Sequence, residues 1–111
     1  MAAEPPKYKP NPKLPRQALP LLDPEKRRRT ADEVALGFTP EQAQTEALRC
    51  LQCQKPACVE ACPLHIDIKR FILRIVEGDW QGAHDVISEQ SPFPGVCGRV
   101  CQHELFCEDA C

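Results

Sequence analysis

The chain has 111 residues and a net charge of −2, which is enough for one domain. The charge is uneven: residues 1–31 hold eight Lys/Arg against three Asp/Glu, and residues 32–111 hold six against thirteen. An acidic body with few aromatics argues against a nucleic-acid platform, and no apolar stretch is long enough to span a membrane or serve as a signal peptide, so the expected location is cytoplasmic.

Residues 1–36 read as a basic N-terminal arm. Seven of the twelve prolines fall there, at Pro5, Pro6, Pro10, Pro12, Pro15, Pro20 and Pro24. Each lacks an N–H and holds φ near one value, which forbids a long helix. The run Lys26, Arg27, Arg28, Arg29 is read as a solvated turn or a clamp onto an acidic partner, and the arm is expected to lie along a partner domain. The body proper is then residues 37–111, about 75 residues, a size at which a core is marginal without staples.

Glu33 to Leu36 suggest one helical turn closed by Gly37. Thr39-Pro40-Glu41-Gln42 predicts a helix start, with Thr39 as N-cap, Pro40 in the first turn and Gln42 completing a capping box. That helix is expected to reach Arg49 or Leu51, with Ala43, Ala47, Leu48 and Leu51 on one face, and to deliver Cys50. Residues 50–63 read as loops and short turns. Ile68, Phe71, Ile72, Ile75 and Val76 recur at helical steps opposite Lys69, Arg70, Arg74 and Glu77, predicting an amphipathic helix over about 67–77 closed by Gly78. Asp79 should cap a second helix over about 80–90 with Trp80, Ala83 and Ile87 inward, ended by Ser91-Pro92. Residues 93–111 read as a loop with short helical turns. The expected fold class is all-α: a small irregular helical domain in which a hairpin of two helices brings two cysteine groups together.

Eight cysteines carry the chemistry. The first group is Cys50-x2-Cys53-x4-Cys58-x3-Cys62-Pro63, and the second is Cys97-x3-Cys101-x5-Cys107-x3-Cys111. A cytoplasmic compartment is reducing, so disulfide staples are not expected and metal is. A [4Fe–4S] cube takes one thiolate per iron, and a short cysteine run ending in Cys-Pro, whose last cysteine serves the other cluster, is the device of two-cluster ferredoxins. The eight thiols divide evenly into two such cubes. The competing reading is a zinc-stapled interaction domain without redox role. Zinc sites pair knuckles about two to four residues apart across a longer spacer, whereas here Cys50 and Cys53 alone have the tightest knuckle spacing and zinc leaves the Cys62-Pro63 ending unexplained. A thioredoxin-like role for Cys50 and Cys53 needs a βαβ context that the sequence lacks.

The surroundings suit a cluster. Ala57, Ala61, Gly95, Gly98 and Ala110 are small enough to let backbone N–H groups approach sulfur, and Leu51, Val59, Leu64, Val96, Val100, Leu105 and Phe106 are candidates to exclude water. Glu60, Glu104, Glu108 and Asp109 near the cysteines would disfavour an added electron. His65, His84 and His103 read as surface or supporting residues, and Trp80 as core. No Gly-x-Gly-x-x-Gly motif and no nucleophile–base constellation is present, so neither a dinucleotide site nor a catalytic centre is expected within these residues.

Three segments resemble a known family. Ala35-Leu36-Gly37-Phe38-Thr39, the run from Glu46 to Cys53, and Pro56-Ala57-Cys58-Val59-Glu60-Ala61-Cys62-Pro63 look like the N-terminal iron–sulfur domain shared by the NADPH-dependent glutamate synthase small chain and dihydropyrimidine dehydrogenase. The run His65 to Ile72 looks closer to the second, and Val96 to Cys101 with Cys107-x3-Cys111 fits both. The resemblance covers about 27–111. It implies an all-helical domain with two [4Fe–4S] clusters passing electrons between the FAD of an NAD(P)H-oxidising domain or subunit and a second redox site, or a ferredoxin. Glutamate synthesis, pyrimidine reduction and ferredoxin-linked transhydrogenation are all compatible with it. By motif, Cys50, Cys53, Cys58 and Cys111 would hold one cluster, and Cys62, Cys101 and Cys107 three corners of the other. In such relatives the fourth ligand is a Gln or Glu beyond the last cysteine; here it is either Cys97 or a residue beyond Cys111. The expectation is the front piece of a longer flavoprotein, or alternatively a free subunit that docks on one.

Overall fold

The computed structural model describes residues 8–111. Seven α-helices follow one another: α1 Pro24–Arg27, α2 Pro40–Ala47, α3 Ala57–Ala61, α4 Ile68–Val76, α5 Trp80–Ser88, α6 Pro94–Val100 and α7 Cys107–Ala110, with a 3₁₀ turn at His103–Leu105. Among the described residues there is no sheet, and one isolated antiparallel bridge joins Leu21 and Ala35. The all-α expectation holds. No helix there is long and apolar enough to cross a membrane.

Local signals act where they were read. The Thr39 hydroxyl accepts from the Gln42 N–H at 3.2 Å, and the Gln42 side chain accepts from the Thr39 N–H at 3.0 Å. This capping box satisfies two of the N–H groups that a helix start leaves unpaired. Asp67 and Asp79 cap α4 and α5 through the Arg70 and Gly82 N–H groups. Gly78 ends α4 at φ +76°, where the Gly78 N–H donates to Ile75 O at 3.0 Å and the Asp79 N–H to Arg74 O at 2.9 Å. Those two bonds form a Schellman stop, which needs a left-handed residue. The hairpin turn between α4 and α5 therefore depends on a residue without a Cβ.

Packing departs from the sequence reading in five places. Helix α2 stops at Ala47, short of Arg49, because the Arg49 and Cys50 N–H groups turn to Glu46 O and Ala47 O in a tighter turn. Leu51 consequently leaves the apolar face and is 58 % exposed. On α5 the inward residues are Ala83 and Val86, with Ile87 half-buried, whereas Trp80 at the first turn is 43 % exposed. Residues 94–100 form a full helix, not a loop. The segment read as a helical turn at 33–36 is extended, with the Leu22 N–H donating to Val34 O and the Leu36 N–H to Pro20 O. Pairing across residues 20–22 satisfies these groups more completely than one isolated turn, which leaves most of its own unpaired.

Helix α4 lies against α5 and α2, α3 against α7, and α5 against α6. The apolar residues buried by this arrangement are Ala47, Ala83 and Val86. The radius of gyration is 15.3 Å, against about 13 Å for a compact domain of this length. The described part of the arm lies along the chain's own helices: Asn11 N–H donates to Leu48 O at 2.7 Å, and Arg99 pairs with Glu33 at 3.0 Å. In the basic run, Arg28 and Arg29 fold back on Glu25.

Candidate metal centre

Most of the cysteines sit in or beside short helices, with Cys53 in the loop before α3, Cys97 in the middle of α6 and Cys101 at its C-cap. Cys50 follows the tight turn after α2, Cys58 lies in α3 and Cys62 at its C-cap, and Cys107 opens α7 with Cys111 at its C-cap. Because α3 packs on α7, the end of the first group and the end of the second share one contact region. Burial pushes the Cys58 thiol above its ordinary value, and the neighbouring Cys111 and Cys50 thiolates push the same way. Burial likewise raises Cys107, with the Glu108 carboxylate and Cys101 adding to it. Like charges act at close range, so these shifts mark two neighbourhoods: Cys50, Cys58 and Cys111, and Cys101 with Cys107.

Hydrogen bonds frame the sulfurs. Gln52 has φ +53°, a left-handed conformation that costs a non-glycine residue about 1–2 kcal/mol. So held, its backbone N–H and its side-chain amide both lie 3.5 Å from Cys50 Sγ, and the amide also donates to Lys69 O at 3.0 Å. His65, two residues past the Cys-Pro step, is left-handed at φ +51°. Tyr8 donates its hydroxyl to the Cys50 and Ala47 carbonyls, and burial followed by the Cys50 thiolate pushes its pKa up to about 12. Cys97 faces the segment between α5 and α6: its Sγ is 3.4 Å from the hydroxyl of Ser91, which is 0 % exposed.

Leu51, Val96, Val100 and Leu105 are 58–71 % exposed. His65, His84 and His103 are on the surface, with His103 beside Glu104 at 2.9 Å. The sequence reading missed Tyr8, Gln52 and Ser91. Tyr8 is the chain's one tyrosine, set in an arm otherwise poor in aromatics, and that was the available signal. Gln52 and Ser91 carry no such mark, because their roles depend on backbone turns and on helix packing.

The donor set tests whether an iron–sulfur group fits. All eight cysteines are free thiols. Among the described residues no three Cys, His, Asp or Glu side chains converge on a point that one metal ion could fill. A single zinc draws its sulfurs to about 2.3 Å from one centre, whereas a cube holds each thiolate on a separate iron and keeps the sulfurs apart. Free thiols on packed helices, with amide donors aimed at the Cys50 sulfur, suit thiolate ligation of such a group.

Fold and donor set together define a small all-helical, cysteine-ligated redox-cofactor domain. The family described as dihydropyrimidine dehydrogenase domain II, 4Fe-4S cluster, matches residues 27–111, and the chain belongs to it. It is therefore an iron–sulfur domain of that type. It is 41% identical over 80 residues to the NAD-dependent dihydropyrimidine dehydrogenase subunit PreT of Salmonella typhimurium, covering 72% of this chain and 19% of that one. It is 34% identical over 85 residues to the glutamate synthase [NADPH] small chain of Azospirillum brasilense, covering 77% and 18%. The chain thus spans about a fifth of the length of these curated relatives.

Proposed function

We propose that the chain holds two [4Fe–4S] clusters and relays electrons within a cytoplasmic NAD(P)H oxidoreductase, between an FAD-bearing domain or subunit and a second redox site. The observation that carries this reading is the packing of α3 on α7, which brings Cys58 and Cys62 at the end of the first cysteine group against the helix that runs from Cys107 to Cys111. Cys53 is exposed beside Cys50 and completes the set of Cys50, Cys58 and Cys111 as its fourth thiolate. Cys62, Cys101 and Cys107 supply three corners of the other. We take Cys97, whose Sγ lies 3.4 Å from the Ser91 hydroxyl, as a packing residue between the end of α5 and α6, and the fourth ligand of the second cluster as a side chain outside the eight cysteines.

When bound, such a cluster accepts and releases one electron at a time. The chain's own residues govern where that happens. The Gln52 amide and N–H direct positive dipole ends at the Cys50 sulfur, which favours the added negative charge. The acidic body works in the opposite direction. Exposed Val96, Val100 and Leu105 suit contact with the partner flavoprotein. The names of the relatives, one NAD-dependent and one NADPH-linked, support the nicotinamide link. Residues 1–36 form an arm and residues 37–111 the cluster domain at the front of that larger assembly.

Iron, zinc and acid-labile sulfide measured on protein purified without oxygen test the reading. About eight iron and eight sulfide per chain are expected for two four-iron clusters. Zinc without sulfide would replace the relay with a structural interaction module.

A further inference from the structure

The family match begins at residue 27, yet the arm makes its closest contacts with the cysteine region well before that point. Tyr8 donates to the carbonyl of Cys50, and to that of Ala47 at 3.4 Å. The Asn11 N–H reaches Leu48 O at 2.7 Å, and the Gln17 N–H reaches the Glu46 carboxylate at 2.8 Å. Arg16 pairs with Glu108 on α7 at 2.7 Å. Between Tyr8 and Gln17 the chain is therefore tied to the end of α2, to a cysteine of the first group and to the helix that carries Cys107. The prolines on either side of Asn11, at 10 and 12, stiffen this stretch, so less entropy is lost in laying it down.

Each tie is weak alone. The Arg16–Glu108 pair is 67 % and 36 % exposed and is screened by solvent, and a single neutral hydrogen bond adds little net stability. Four ties spread over ten residues of semi-rigid chain hold together because each keeps the others in reach.

We propose that residues 8–17 are a strap that closes over the Cys50 corner and keeps water from it, setting how firmly iron is retained and at what potential. This rests on the reading above that Cys50 is a cluster ligand. Reduction adds negative charge to the site, and water stabilises the more highly charged state. Excluding water at Cys50 therefore lowers the reduction potential, and freeing the strap raises it. A tie that served only to hold α2 and α7 together would change melting temperature and leave the potential alone.

The test uses the full chain, purified without oxygen, with iron and sulfide measured first. Tyr8→Ala combined with Arg16→Gln removes the phenol and the ion pair with Glu108 without adding a carboxylate. The expected result is iron release to a chelator several-fold faster than wild type, and an upward shift in the potential of one cluster, with helical circular dichroism retained. Tyr8→Phe alone should move both readouts the same way by less, and Arg16→Lys should hold the wild-type rate. Unchanged release and unchanged potentials in the double variant and in Tyr8→Phe would overturn the strap. Should the double variant lose its helices, Tyr8→Phe decides by the same two readouts. A wild-type chain without iron and sulfide overturns the cluster reading itself, and the strap with it.

Discussion

Removing the clusters should unfold this domain. The structure gives the size of the effect through what the polypeptide fails to bury. Its buried apolar residues are Ala47, Ala83 and Val86. The accessible surface tells the same story: 8448 Å² for a 12.5 kDa chain, where a compact monomer of that mass exposes about 6,200 Å². Helices this short, the longest being nine residues, are unstable alone in water. On the proposed function, cluster ligation supplies the missing stabilisation, since a metal site absent from the unfolded state contributes its binding energy to folding. Far-UV circular dichroism of the chain before and after extraction of iron with a chelator and an oxidant measures this. More than half of the helical signal should disappear and return on anaerobic reconstitution with iron and sulfide. An iron-free chain that keeps its full helical signal and melts cooperatively would refute the reasoning.

Other outcomes follow from particular residues. Gly78→Ala places a Cβ on a residue at φ +76°, costing about 1–2 kcal/mol and loosening the α4–α5 turn; thermal melting of the iron-loaded protein should fall by several degrees. Thr39→Ala removes the acceptor of the Gln42 N–H and should destabilise by about 1 kcal/mol, with iron content unchanged after purification. Cys58→Ser removes a thiol from the centre of the first neighbourhood and should lose about half of the iron, if each site holds one of two cubes. Cys97→Ser keeps a hydroxyl facing Ser91 and should retain full iron; losing half of it would make Cys97 the fourth ligand. Gln52→Leu removes one amide donor from the Cys50 sulfur and should shift the potential of the cluster there downward, read by redox titration.

Much of this protein is determined by short-range chemistry and was legible before any coordinates. The starts of α2 and α5 depend on Thr39 and Asp79, each bonding an N–H three residues on, so neighbours in sequence settle them; Asp67, placed inside the helix by the sequence pattern, caps α4 in the same way. The stop at Gly78 follows from the one residue type that adopts its φ without penalty. The cysteine spacing pointed to iron–sulfur chemistry because ligands on a shared loop must lie within a cluster's reach. Tertiary structure alone decided the rest. Trp80 faces solvent and Val86 the interior because α4 lies where it does, which helical period cannot report. Cys97 meets Ser91 through the angle between α5 and α6, and Tyr8 reaches Cys50 across forty-two positions of chain. Local sequence sets backbone conformation within a turn or two. Contacts between distant residues depend on how several elements pack at once, and in a chain that buries so little, on the groups its cysteines hold.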